Sequence, residues 1–343
     1  MLDQLFAKRT DLPKLRAQAW ERAQALGLPK GIRGTYVAAT PPALPAGVEA
    51  LPLSQAALTF GAFLNSRWSR SLKEETSAHA ALNAAVHGEG LFLSIPPGTK
   101  VEAPIHLSHH LAEGMLAFPR VHLFVGAGAE VELVEMVSGE GQCNGLFDIA
   151  LEEGARATLT LLHGGAVNSS VRATLKRDAH LKTIAYTQSG GGVNHDYRVA
   201  LGGENSEVDL IGGWQLANDS RMATNIHVEH IAPHCRSSQL FKGVLRDTSR
   251  SSFTGKIYVH REAQKTDAFQ LNNNLVLSDR ASAHSEPNLE IFADDVKASH
   301  GSTTGQFDPT ELFYLRSRGL SEAAARALLV DAFLKPITSL LSF

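Results

Sequence analysis

A small or polar turn followed by a strand of alternating apolar residues returns four times in the middle of this chain. The copies are Gly126-Ala127-Gly128-Ala129-Glu130-Val131, Gly154-Ala155-Arg156-Ala157-Thr158-Leu159, Asp178-Ala179-His180-Leu181 and Gly203-Glu204-Asn205-Ser206-Glu207-Val208. Their starts lie 24 to 28 residues apart, inside the range of repeat architectures. One such unit cannot cover its own hydrophobic face and must stack on the next. Between Asn83 and about residue 300 no helical pattern separates the strands, which argues against a doubly wound α/β sheet. A β-solenoid or a large sandwich remains, and the near-regular period favours the solenoid. Ser251 to Val259, Phe269 to Leu277 and Leu289 to Phe292 carry the pattern onward. A length of 343 residues is unusual for one compact core but ordinary for coils that touch only their neighbours.

Helical patterns flank the strands. Asp11 is a candidate N-cap for a helix to Leu28, with Pro13 in its first turn and Leu15, Ala19, Trp20, Ala23 and Leu26 near one face. Gly31 to about Pro52, including Thr40-Pro41-Pro42-Ala43-Leu44-Pro45, reads as a linker. A second helix over roughly Ser54 to Arg70 carries Ala57, Phe60, Phe63 and Leu64. Asp308-Pro309 with Glu311 signals another helix, stopped at Gly319. Ser321 caps the last, with Ala325, Leu328, Leu329, Ala332 and Phe333 on one stripe and an end near Pro336. These signals divide the chain into an N-terminal helical region with linker (1–78), a strand core (79–305) and a C-terminal helical unit (306–343).

Composition narrows the chemistry. With 43% hydrophobic and 20% charged residues and a formal charge of −3, the chain can build a core and has no electrostatic reason to bind nucleic acid or an anionic membrane. No export signal stands in Met1 to Arg9 and no apolar run reaches bilayer length, so a cytoplasmic location is expected. Cys143 and Cys235 are the only cysteines, too few for a disulfide framework. They are also too few for the roughly four thiolates that hold an iron-sulfur cluster.

Each tempting constellation has a plainer reading. His227 and His230, in His227-Val228-Glu229-His230-Ile231-Ala232-Pro233-His234-Cys235, point to opposite faces of a strand, and so do His109 and His110. Structural roles are expected. Gly190-Gly191-Gly192 and Gly212-Gly213 lack the Lys-Ser/Thr and helix of a phosphate loop. Asp294 and Asp295, beside Lys297, face opposite ways and read as a solvated loop rather than a glycosidase pair. His300 is different. It lies where strands give way to helices, and a neutral imidazole there suits iron ligation or proton relay.

The runs Thr266-Asp267-Ala268-Phe269-Gln270-Leu271-Asn272-Asn273-Asn274-Leu275-Val276-Leu277-Ser278 and Pro287-Asn288-Leu289-Glu290-Ile291-Phe292-Ala293-Asp294-Asp295-Val296-Lys297-Ala298-Ser299-His300-Gly301, with Leu312-Phe313-Tyr314-Leu315-Arg316-Ser317-Arg318-Gly319-Leu320, resemble the SufB/SufD family of iron-sulfur cluster assembly scaffold proteins. Weaker matches at Pro96-Pro97-Gly98, Pro104-Ile105, Ala19-Trp20-Glu21 and Gly27-Leu28-Pro29 extend the resemblance upstream. Lys297-Ala298-Ser299-His300-Gly301 is similar to the SufD branch, whereas the Glu-His-Glu-Ala run of SufB is absent and Ala281 stands where SufB carries a cluster cysteine. Two departures are Ala298, where many of the branch have Cys, and Gly31-Ile32-Arg33-Gly34-Thr35-Tyr36, where an acidic-Trp motif is usual.

The resemblance implies a mainly β fold, a right-handed parallel β-helix flanked by helical regions. It implies a non-catalytic subunit that pairs with SufB as a heterodimer and docks the ATPase SufC. His300 carries over as the cluster-assembly interface residue and as a metal ligand shared with SufB. Leu312, Phe313, Tyr314, Arg316, Arg318, Leu328 and Phe333 carry over as the SufC-docking set. No cofactor is expected to be held stably by this chain alone, an iron-sulfur cluster being assembled transiently at the SufB interface. The alternatives are a β-helical carbohydrate enzyme, which needs converging carboxylates, and a solenoid that self-associates as a homodimer.

Overall fold

In the computed structural model, residues 1–39, 42–188 and 191–341 are described. Thr40 and Pro41 of the expected linker and Gly190 of the glycine run lie outside the described residues, as does the side chain of Phe63. The strand core is a parallel β-solenoid of about seven turns. Two sheets face one another. One runs through Glu49–Pro52, Leu91–Ile95, Arg120–Val125, Gln142–Leu151, Ala166–Leu175, Gly192–Leu201, Arg221–His230, Arg250–Val259 and Ser282–Ile291. The other runs through Ile105–Leu111, Glu130–Gly139, Arg156–His163, His180–Gln188, Glu207–Leu216, Arg236–Leu245, Thr266–Val276 and Val296–Gly305. The chain alternates between them, so each coil gives one strand to each sheet. Coil length first shrinks, from 30 residues where Leu91 pairs with Val121 to 24 where Gln142 pairs with Ala166, and then grows to 32 where Arg250 pairs with Ser282.

The recurring turn has one geometry. Gly98, Gly128, Gly154, Asp178, Asn205, His234 and Lys265 all have φ between 57° and 70°. Each donates its backbone N–H to a carbonyl of the next turn (Ala127, Glu153, Arg177, Glu204, Pro233, Gln264 and Asp295) at 2.6–3.3 Å. The left-handed conformation costs an L-residue about 1–2 kcal/mol, which explains the Gly, Asn and Asp that mark the period in the sequence. His234 and Lys265 occupy it without that excuse.

Alternation puts Val131, Leu133, Leu159, Leu181 and Leu210 from one sheet against Ile149, Val171, Tyr197 and Val228 from the other, all buried in one core. Toward the last coils the inward positions turn polar, with Gln239, Gln270, Asn272 and Asn274 buried.

Seven helices flank the coils among the described residues: α1 (Leu2–Ala7), α2 (Pro13–Ala25), α3 (Leu53–Thr59), α4 (Gly61–Glu74), α5 (Ala78–Val86), α6 (Pro309–Ser317) and α7 (Glu322–Thr338). Asp11 does not cap α2. The N-cap is Leu12 in the left-handed region, and Asp11 instead accepts from Arg16 Nη2 at 2.8 Å. The second expected helix is broken at Phe60 into α3 and α4. The expected linker contains two short strands, Thr35–Tyr36 beside Met115–Ala117 and the antiparallel Glu49–Pro52. α5 carries no sequence signal of amphipathicity because Ala80 to Val86 are all buried, between α2 and the sheet. Asn83 Nδ2 donates to Pro119 O and Asn144 O, and Arg16 Nη1 donates to Ala85 O and His87 O at the helix end.

At the other end Asp308 and Ser321 cap α6 and α7, accepting from the N–H groups of Thr310 and Ala324. Gly319 turns the chain between them at φ 93°. α7 continues past Pro336 to Thr338 and buries Ala325, Val330, Leu334 and Ile337 against the second sheet. Leu328 and Ala332, expected on the packed stripe, face solvent. Lys242 Nζ ties the helix down by donating to Phe333 O at 2.9 Å.

Candidate functional site

The two ends of the solenoid differ: the first sheet begins with the antiparallel Glu49–Pro52, whereas both sheets finish in parallel strands. Ser282–Ile291 and Val296–Gly305 are the terminal strands of their sheets, each paired on one side only. Backbone N–H and C=O groups along such an edge await a partner, and natural proteins ordinarily cover or blunt them. Here the inward residues of the last coil are uncovered as well. Val296, Ala298, His300, Ser302 and Thr304 stand in register above Thr266, Ala268, Gln270, Asn272 and Asn274. All five of the lower set are buried.

His300 therefore belongs to the interior face of its strand yet is exposed. The face is settled by its neighbour: a Cβ on Gly301 would lie 3.1 Å from Leu271 Cδ1, and Leu271 is on the outer surface. Beneath His300, Gln270 Nε2 donates to Gln239 Oε1 at 2.8 Å. Asn274 Nδ2 donates to Asn272 Oδ1 at 2.8 Å. The open end is thus a polar, hydrogen-bonding floor with one imidazole on it, flanked by exposed Phe269 and Phe292.

The other histidines singled out in the sequence have structural surroundings. His230 is buried, sharing hydrogen bonds with Ser237 Oγ at 2.8 Å and Thr266 Oγ1 at 3.5 Å, and desolvation pushes its pKa down to about 4. His227 lies on the opposite face, as expected from alternation. His109 is buried near Glu135, 3.8 Å away, while His110 is exposed beside Ser138. Burial pushes both cysteine thiols up, and neither is at the surface. Asp295 pairs with Lys265 in an exposed turn, and Asp294 is exposed.

Sequence reasoning missed a buried chain from Glu135 to His163 and on to His195. Glu135 Oε2 lies 2.9 Å from His163 Nε2, and His163 Nδ1 lies 2.8 Å from His195 Nε2. His163 lies diagonally from Glu135 on the neighbouring strand and His195 on the facing sheet, so only the stacked coils join them. Among the described residues no three His, Cys, Asp or Glu side chains converge to hold a metal ion.

The residues assigned to SufC docking lie on one helical hairpin. α6 buries no residue at all, and Phe313 is 73% exposed, Tyr314 56% and Leu328 48%. Arg316 and Arg318 are exposed, Leu312 is half-buried, and Phe333 is half-buried under Lys242. Exposed apolar side chains thus stand beside basic ones on this hairpin.

Fold and site together define a two-sheeted parallel β-solenoid with N-terminal helices packed on one sheet, an open histidine-bearing end and an exposed helical hairpin on its flank. A family model described as the SUF system FeS cluster assembly SufBD core domain matches residues 108–333. The chain belongs to the SufB/SufD family of iron-sulfur cluster assembly proteins. It is 34% identical over 239 residues to an iron-sulfur cluster assembly SufBD family protein of Mycobacterium leprae, covering 66% of this chain and 61% of that one. It is 28% identical over 384 residues to the iron-sulfur cluster assembly protein SufD of Escherichia coli, covering 97% and 86%. A third relative is the chloroplastic protein ABCI7 of Arabidopsis thaliana, 28% identical over 263 residues and covering 71% of this chain and 55% of that protein. The chain spans about six-tenths of the length of its mycobacterial relatives.

Proposed function

We propose that this chain is the SufD-type, non-catalytic scaffold subunit of the Suf iron-sulfur cluster assembly complex, working in the cytoplasm. It pairs with SufB through the open end of the solenoid and docks the ATPase SufC on the α6–α7 hairpin. The observation that carries this reading is the terminal coil, with two unpaired strand edges and His300 uncovered on the inward face. Two half-filled sheets and an unroofed polar core suit another body of the same kind stacked on the end.

The donor set fits a shared role and no more. Cys143 and Cys235 are buried in other coils, and Ala298, Ser302 and Thr304 beside His300 bring no thiolate. A cluster built here as cargo therefore draws its sulfur donors from the partner, with His300 supplying at most one imidazole. ATP-driven dimerisation of SufC, pulling on α6 and α7, shifts the docked pair and exposes those ligands. The α7 contacts with the second sheet, through Val330, Leu334 and Lys242, pass the pull to the solenoid as a stiff body.

Co-expression with SufB and SufC tests this directly: a stable ternary complex is expected, and failure to co-purify would count against the reading. Within that complex His300→Ala should leave assembly intact and lower cluster content. Unchanged cluster yield removes His300 from the mechanism. The same free edges favour a homodimer when the chain is alone, which size-exclusion chromatography with light scattering resolves.

A further inference from the structure

The inward column that ends at His300 is built of amides. Leu210, Gln239, Gln270 and His300 are successive register partners on four neighbouring strands, stacked at the interstrand spacing of about 4.8 Å. Gln239 and Gln270 are both buried. In the bond from Gln270 Nε2 to Gln239 Oε1, one of the two Gln270 amide N–H groups goes to the rung below, and Gln239 Nε2 is left buried without a partner. Gln270 Oε1 remains, buried and without a partner in the chain. The core is shaped around this amide from the opposite sheet. A Cβ on Gly255 would lie 1.7 Å from Gln270 Nε2 and 3.0 Å from Oε1, so any other residue there would expel the side chain. A buried carbonyl oxygen with no donor is costly and calls for one. The next rung is an imidazole.

We propose that Gln270 is a positioning residue for His300: its Oε1 accepts the N–H of one ring nitrogen, which fixes the tautomer and the ring plane. The other nitrogen then presents its lone pair outward, to whatever docks on the open end. Outer partners of this kind set the orientation and basicity of histidines that ligate metals or move protons. The functional weight of the contact rests on the reading of His300 given above, but the contact itself does not.

The test uses the isolated full-length chain labelled with 15N-histidine, with His300 assigned by its loss in His300→Ala. At a pH where the ring is neutral, long-range 1H–15N correlations report the tautomer. One dominant tautomer with a ring N–H protected from solvent exchange is expected in the parent. Gln270→Leu should give the tautomer mixture of an exposed histidine, and Gln270→Glu, which keeps an acceptor, should retain the single form. Gln270→Met serves as the second apolar variant where Gln270→Leu does not fold, folding being checked by thermal melting. A parent His300 already in the exposed mixture, or one unmoved in a folded apolar variant, overturns the proposal. Since neither partner nor cluster is present, that failure leaves the scaffold reading standing. Loss of the ternary complex would equally leave the Gln270–His300 bond standing.

Discussion

Glu75, at the C-terminal end of α4, and Arg172, on the face of the solenoid, make a two-bond ion pair across 97 residues of sequence. Arg172 Nε donates to Glu75 Oε2 at 2.8 Å and Nη2 donates to Oε1 at 2.9 Å, with Arg172 Nη1 also 2.6 Å from Asp196 Oδ1. Both partners are buried. Burial alone would raise the Glu75 carboxyl, but Arg172 and then Arg198 outweigh it and hold the group below its ordinary value. The pair's stabilisation is thus complete above the ordinary carboxylate range and is lost as pH falls through the lower, folded value. Removing one partner strands the other charge, so Glu75→Ala should destabilise the protein by about 3–5 kcal/mol. Denaturant unfolding at pH 7 measures it, and a loss below 1 kcal/mol would contradict the buried geometry.

His230 makes a separate acid-sensitive element. Its folded pKa is about 4, against about 6.5 when unfolded. The unfolded chain takes up a proton as pH falls through 6.5, and the folded chain does not until about 4. Stability is therefore full above that window, declines across it by about 1.4 kcal/mol per pH unit and levels off below. Between pH 7 and pH 5 His230 should account for about 2 kcal/mol of lost stability. His230→Gln, compared with the parent at the two pH values, should show that much less pH dependence.

The left-handed turn column offers a gain rather than a loss. His234 and Lys265 hold φ of 61° and 63° with full side chains. His234→Gly or Lys265→Gly should raise stability by about 1 kcal/mol, visible as a higher melting temperature. Gly154→Ala is the reverse case, at φ 67° where a Cβ would make only ordinary contact, 3.9 Å from the Gly128 backbone, and should cost a similar amount through backbone strain.

Phe313 separates folding from docking. With no residue of α6 buried, Phe313→Ala should change unfolding free energy by less than about 0.5 kcal/mol. If the hairpin holds SufC, the same substitution should weaken capture of SufC by at least tenfold, about 1.4 kcal/mol, in a pull-down titration. Destabilisation with unchanged capture would reverse both assignments.

What the sequence made legible was whatever repeats locally. Gly128, Gly154, Asp178 and Asn205 announce the coil because each must adopt the same rare backbone angle, and Asp308, Gly319 and Ser321 bound α6 and α7 because caps act within one turn. The packed face of α7 was hidden: Ala323 to Val330 is apolar on nearly every side, so periodicity could not choose Val330, Leu334 and Ile337 over Leu328 and Ala332. α5, buried all round, lost its period for a related reason. His300 was singled out by its position and by family resemblance. Gln270 beneath it depends on a register of 30 residues and the Glu135–His163–His195 chain on coils whose register is 26, a spacing that drifts from coil to coil. No local pattern encodes that drift.

The antiparallel Glu49–Pro52 strand, with Val37, Val48 and Val101 packed at the same end of the core, breaks the parallel ladder there. A molecule stacked on that pole would meet, in the first sheet, a strand running the wrong way for a parallel ladder. At the opposite pole both terminal strands keep the parallel direction, so two sheets at once can take up a neighbour there.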